Sequence, residues 1–194
     1  IRVRWQGDWN PLISPRVTAA EQKNTDRKAP GKEASELTTD MVLTLEEIVL
    51  NDRELPEMRV FVGFMLFTLY TRERVTDAAR NVVEPWCHGR PHVRGTIESK
   101  TVSEKTKHGQ SKARRRREVI ILGPAWGLSK KGSWGHKWLA LRKQLGRNAA
   151  KDGTLQLRID RNWDTVPGTV VDANKVTDVL RRIVKTKIPA HKSI

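Results

Sequence analysis

The 194-residue sequence contains one cysteine, Cys87, and one tyrosine, Tyr70. A single thiol cannot build an internal disulfide framework, so the fold must rest on its apolar core, and a reducing, intracellular compartment is the expected home. Metal ligands are also scarce. The segment "PWCHGRPH" brings His88 and His92 near Cys87, but a closed zinc site needs four ligands and this cluster offers too few. No metal and no cofactor is therefore expected. Long apolar runs are missing too: the longest, "VFVGFMLFTLY" from Val60 to Tyr70, falls short of the roughly 20 residues that span a bilayer. No charged-then-apolar leader opens the chain, so a soluble protein with no membrane partner is expected. Acidic residues are outnumbered, 22 against 37 Lys and Arg, which leaves a net charge of +15. Such a field exceeds what solubility needs and favours a polyanionic partner, nucleic acid before others.

The length suits one domain with a core and a loose end. Residues 1–37 mix tryptophans, prolines and charges without a period and close on "EQKNTDRKAPGKEASE", which has little to bury; they read as a polar linker or the end of a preceding domain. From Thr38 onward the pattern changes. "LTTDMVLTLEEIVLNDR" offers Thr38 or Thr39 as N-cap and Met41, Leu45, Ile48 and Val49 at helical spacing. Pro56 stands at a first helical position before "EMRVFVGFMLFTLYT", apolar on nearly every face and hence central. Next come short β-rich pieces, "NVVEPW", "HVRGTIES" and "REVIIL", with the polar "KTVSEKTKHGQSKARRRR" between the last two as an extended hairpin tip. "SWGHKWLALRKQLGR" returns to helical spacing, "NAAKDG" reads as a turn, "TLQLRI" as a strand, and "DANKVTDVLRRIVKT" as a helix capped by Asp172. The expected fold over 38–194 is α+β and mainly α-helical, with helices around a small antiparallel sheet that carries a basic hairpin.

Two constellations carry chemistry. "FTLYTRERVTDAARN", residues 67–81, runs from the buried helix directly into Arg72, Arg74 and Asp77. An arginine whose backbone is held by packing can meet a phosphate with little reorganisation. Asp77, three residues after Arg74, is placed to hold that guanidinium; an ordinary surface pair is the plain alternative. The second is the stretch from Lys100 to Arg117, with eight basic residues (Lys100, Lys105, Lys107, Lys112, Arg114, Arg115, Arg116, Arg117) and one acid, Glu104. Clustered cations gain affinity by displacing counterions from a phosphate backbone. "KARRRR" equally suits a nuclear-import signal or a solvated charge run.

These residues meet a family. "TRERVTDAARN" resembles the first arginine motif of tyrosine recombinases, the phage integrase family, in which a buried helix ends in Thr, Gly, any residue and Arg, followed three residues later by Glu or Asp. Thr71, Arg74 and Asp77 match; Arg72 stands where glycine is usual. "EKTK" followed by "REVIILGPA" looks like the family's lysine-bearing β-hairpin, with Lys105 the better candidate and Lys107 beside it, and "AHKSI" looks like the opening of its His-x-x-Arg or His-x-x-Lys motif, with His191 as the histidine. The resemblance covers roughly residues 38–194, and with the "GPAWGL" and "WLALRKQLGR" pieces the chain resembles recombinase-like domains of mobile elements. It implies site-specific DNA recombination through a covalent phosphotyrosine link, without a metal. Arg74 would stabilise charge on the non-bridging phosphate oxygens, Lys105 would protonate the leaving 5′ oxygen, His191 would share acid–base work, and Asp77 would support Arg74. It further implies double-stranded DNA as partner, self-association in a recombination synapse, and a nuclear or nucleoid location.

The chain starts at Ile1 and stops at "PAHKSI", so it reads as a fragment that lacks the family's second arginine and nucleophilic tyrosine and is inactive alone. Tyr70, in the buried helix, is a poor nucleophile candidate. A non-catalytic nucleic-acid-binding module, with the basic loop tracking phosphates, is the competing expectation. A degenerate remnant of a mobile element is the third.

Overall fold

The computed structural model describes residues 37–92, 94–104 and 116–187. Helix α1, Thr39–Leu50, begins where Thr38 accepts a hydrogen bond from the Met41 N–H at 3.3 Å, and it buries Met41, Val42, Leu45, Ile48 and Val49 on one side. Pro56 then opens α2, Pro56–Thr71, at the position where a missing N–H costs nothing. Every residue from Met58 to Thr68 is buried, so α2 has no solvent face over most of its length. A five-residue helix α3, Val75–Ala79, follows.

Strands β1 (Trp86–His88), β2 (Thr96–Glu104) and β3 (Arg116–Pro124) form an antiparallel sheet in that order. Its longest pairing runs from Thr96↔Pro124 to Glu104↔Arg116, so residues 105–115 join β2 to β3. Alternation puts Ile97, Ser99 and Gly123 inward, while Thr96, Lys100, Ile120 and Leu122 face out. Helix α4, Trp134–Gln144, is capped by Ser133, and the short α5, Ala149–Asp152, by Asn148. A two-stranded antiparallel sheet of β4 (Leu157–Ile159) and β5 (Thr165–Val170) precedes α6, Ala173–Lys187. The protein is thus a mixed α/β fold with six helices and small antiparallel sheets among the described residues.

Three local expectations change. The "NVVEPW" strand begins only at Trp86, because the Asn81 side chain accepts the Val83 N–H at 3.0 Å and turns the chain there. "NAAKDG" is not a plain turn: Asn148 accepts from the Ala150 and Lys151 N–H groups and starts α5. "TLQLRI" is strand only over Leu157–Ile159, since Thr154 and Leu155 give their donors to the Ala79 carbonyl instead.

The core closes around α2. Trp138 of α4 lies over Gly63, where any Cβ would overlap its indole, and its Nε1–H donates to the Val60 carbonyl at 2.9 Å. Phe67 stacks on Trp138 at 5.7 Å between centroids, and Tyr70 on Trp134 at 5.6 Å. Buried cations finish backbone ends. Arg59 donates from Nε and Nη2 to the Val49 carbonyl at 3.1 and 3.0 Å and pairs with Asp52 at 2.8 Å, closing the C-terminus of α1. Lys137 also reaches Asp52; its hydrogen bond first, and Arg59 second, hold that carboxyl below the usual range. Arg142 forks onto Glu84 at 2.6 and 3.0 Å and donates to the Leu155 carbonyl at 2.7 Å, while Glu84 also accepts the Ala149 N–H that starts α5.

Gly63→Ala tests this packing, because two effects oppose each other there. Helix propensity favours alanine by about 1 kcal/mol, whereas overpacking typically costs about 1–3 kcal/mol. The indole beneath is held by its bond to Val60, so the clash wins. Urea denaturation is expected to show a clear loss of stability for Gly63→Ala and a larger one for Gly63→Val. Unchanged stability in both would remove the wedge from the account.

Candidate nucleic-acid interface

The turn from α2 into α3 places the arginines. Thr71 donates its hydroxyl to the Phe67 carbonyl at 2.6 Å, and α2 stops at Arg72, whose backbone is left-handed at φ 56°. That conformation costs an L-residue roughly 1–2 kcal/mol and suits glycine. Two residues on, Arg74 is the N-cap of α3 with φ −66° and ψ 134°. Its carbonyl accepts from the Asp77 and Ala78 N–H groups at 3.0 and 2.9 Å, and its side chain is exposed. Asp77 is exposed as well, and among the described residues no ion pair joins the two side chains; the brace between them is the backbone bond.

Behind Arg74 the helix is firmly anchored. Ala78 and Ala79 are fully buried, and the Ala79 carbonyl accepts from the Leu155 N–H at 3.0 Å and from the Thr154 hydroxyl. Asn81, buried just past the helix, donates from Nδ2 to the Ser99 hydroxyl of β2, which is also buried. The next residue on β2, Lys100, is exposed on the outer sheet face opposite Ile120. Arg117 and Arg116 pair with Ser103 and Glu104 in the β2–β3 ladder. Lys105, Lys107, Lys112, Arg114, Arg115 and His191 lie outside the described residues.

Sequence reasoning missed Glu46. This carboxylate is fully buried and accepts from the Tyr70 hydroxyl and from the Leu128 and Ser129 N–H groups at 2.9 and 2.8 Å. It fills the space where Gly127 has no side chain, and so fixes the loop between β3 and α4 against α1 and α2. No sequence signal marked it, because its partners are a phenol 24 positions away and two backbone groups 82 and 83 positions away. Burial first, then the Glu46 carboxylate, drive the Tyr70 phenol well above its ordinary range. A phenol so held stays neutral at ordinary pH. Burial likewise pushes the Cys87 thiol up to about 12.

Two further polar features are present among the described residues. His88 contacts Glu98 at 2.6 Å and Trp86 at 2.9 Å on the outer sheet face. A groove of about 430 Å³ runs beside α1, but its Glu47 and Glu54 already pair with its Lys131 and Lys187. No group of three or more His, Cys, Asp or Glu is arranged for a metal among the described residues, and none of their helices is long and apolar enough to cross a membrane. Comparison with protein-family models, with curated proteins and with solved structures finds no match.

Because Tyr70 and Cys87 are each the sole residue of their kind, both environments can be read without assignment. The phenolate absorbance band is expected to rise only above the ordinary tyrosine value of about 10, and Glu46→Gln to shrink that shift without removing it, since burial is the larger cause. A thiol reagent near pH 8 is expected to label Cys87 slowly in the native protein and fast in denaturant. Normal titration of Tyr70, or equal labelling in both states, would contradict the packing described.

Proposed function

We propose that this chain is part of the catalytic domain of a tyrosine-recombinase-like DNA strand transferase, and that it binds the phosphate backbone of duplex DNA through Arg74 and the basic β2–β3 hairpin. The carrying observation is the turn at Arg72–Arg74. A left-handed backbone stands where the family motif has glycine, and two residues later an exposed guanidinium rises from a main chain fixed between α2 and α3. Rigid placement is what charge stabilisation at a phosphate requires, because a donor that need not reorganise acts at full strength in the transition state.

On this reading a tyrosine oxygen, its proton passing to His191 in that residue's acid–base role, forms a bond to phosphorus, the bond from phosphorus to the 5′ oxygen breaks, and the leaving oxygen takes a proton from the hairpin lysine, Lys105. Arg74 neutralises the non-bridging oxygens meanwhile. Lys105 and His191 enter on the resemblance of their sequence contexts alone. On this reading Tyr70, half-buried and bonded to Glu46, is not the nucleophile, and the attacking tyrosine would be supplied from outside these 194 residues. A DNA substrate implies a nuclear or nucleoid location and assembly of several copies on the recombining strands. The net charge of +15 supports the polyanionic partner and is indifferent to the chemistry.

Fluorescence anisotropy of a labelled duplex across a salt series tests the proposal. The logarithm of affinity is expected to fall linearly with the logarithm of salt, by about 0.9 per phosphate neutralised. Arg74→Ala should weaken binding and reduce that slope by about 1. A flat salt response would contradict a phosphate-led interface. A steep response that Arg74→Ala leaves untouched would favour the non-catalytic module.

A further inference from the structure

We propose that Asn81 and Ser99 are positioning residues for the DNA site: their buried hydrogen bond fixes the backbone that presents Arg74 relative to the strand that presents Lys100. The inference rests on the functional reading above and adds to it how the two basic elements are kept in register.

Helix α3 cannot hold Arg74 by itself. It has five residues, and isolated helices shorter than about 12–15 residues are marginal in water. Its N-cap, Arg74, supplies no side-chain capping bond. What fixes it is tertiary, and comes from two directions. The Ala79 carbonyl is bonded to the segment Thr154–Leu155, which anchors the helix to the α5–β4 connection. Asn81 supplies the link to the sheet. Its backbone N–H closes onto the Ala78 carbonyl at 3.1 Å, its Oδ1 accepts the Val83 N–H at 3.0 Å, and its Nδ2 donates to the Ser99 hydroxyl. Among the described residues this is the only side-chain hydrogen bond between the α3 turn and β2.

Burial makes the link stringent. Asn81 and Ser99 are 4% and 0% exposed, so neither group can exchange its partner for water, and breaking the bond strands a polar atom in the core. An apolar pair could fill the same space, but it would not set direction. An amide bonded at both ends fixes the distance between the α3 turn and the strand as well as its orientation. Ser99 lies one residue before Lys100 on β2, so an error at Ser99 is passed directly to the backbone that carries Lys100.

A double-mutant cycle in the full chain tests the claim. Arg74→Ala and Lys100→Ala, singly and together, are measured for duplex affinity in the wild-type background and again with Asn81→Leu, which keeps the core apolar and removes the bond. Circular dichroism selects a temperature at which all variants are folded. If Arg74 and Lys100 are held in register by Asn81, their losses are non-additive in the wild type and become additive with Asn81→Leu, which should itself weaken binding about threefold to tenfold. The swap Asn81→Ser with Ser99→Asn, which conserves volume and can rebuild the bond, should recover most of that loss. A merely structural role would lower stability and leave the coupling intact. Coupling that survives Asn81→Leu, in a wild-type chain that binds DNA, overturns this inference alone. No duplex binding by the wild-type chain overturns the functional reading and this inference with it.

Discussion

Helix α2 needs cover on every side, and the rest of the molecule is arranged to give it. Eleven consecutive residues from Met58 to Thr68 are buried, so no rotation of the helix could offer a face to water. Cover comes from α1 on one side and from Trp134 and Trp138 of α4 on another, with β3 passing close enough that the space above Gly123 is taken by Thr71. The wedge of Trp138 at Gly63 sets how closely α4 approaches. A smaller residue in place of the indole would leave a cavity, and a larger one in place of the glycine would push the helices apart.

A helix buried this completely creates difficulties at its ends and flanks, which are met by polar side chains that are themselves buried. Arg59 leaves α2 to close the last carbonyl of α1, Glu46 leaves α1 to collect Tyr70 and two amides of the β3–α4 loop, and Arg142 joins Glu84 to the turn before β4. Each of these charges has its hydrogen-bonding capacity largely used inside the fold, which is the condition for burying a charge without a large penalty. Arg74 differs from them. Its carbonyl accepts two N–H groups of α3, yet its guanidinium is exposed. An exposed cation carried on a bonded main chain is what the proposed phosphate contact requires.

Much of the helical frame was legible in the sequence because its signals are local. Thr38 as cap, Pro56 at the helix start, the apolar stripe of α6 and the spacing of Trp134, Trp138 and Leu141 all act within a turn or two. What was not legible depends on partners far along the chain. The Asn81–Ser99 bond, the three donors on Glu46 and the fork from Arg142 to Glu84 join residues 18 to 83 positions apart, and no periodicity encodes them. β5 escaped notice because "TVPGTV" carries a proline and a glycine, which argue against a strand unless it lies at an edge, as it does in this two-stranded sheet. For the candidate site, the place of Arg74 just beyond a buried helix was readable from the apolar run that precedes it. The left-handed turn at Arg72 and the anchoring of α3 behind it were not, since both depend on where α2 is forced to stop.

Nitrogen-15 NMR of the arginine side chains during titration with duplex DNA tests the central claim most directly, because it watches the guanidinium rather than the affinity. With Arg74 assigned through Arg74→Lys, its Nε–H resonance is expected to shift and its solvent exchange to slow as a phosphate occupies it, while the buried Arg59 and Arg142 stay unchanged. If the Arg74 resonance remains at its free position at saturating DNA while other arginines move, the turn at Arg72–Arg74 is not a phosphate site and the strand-transferase reading falls.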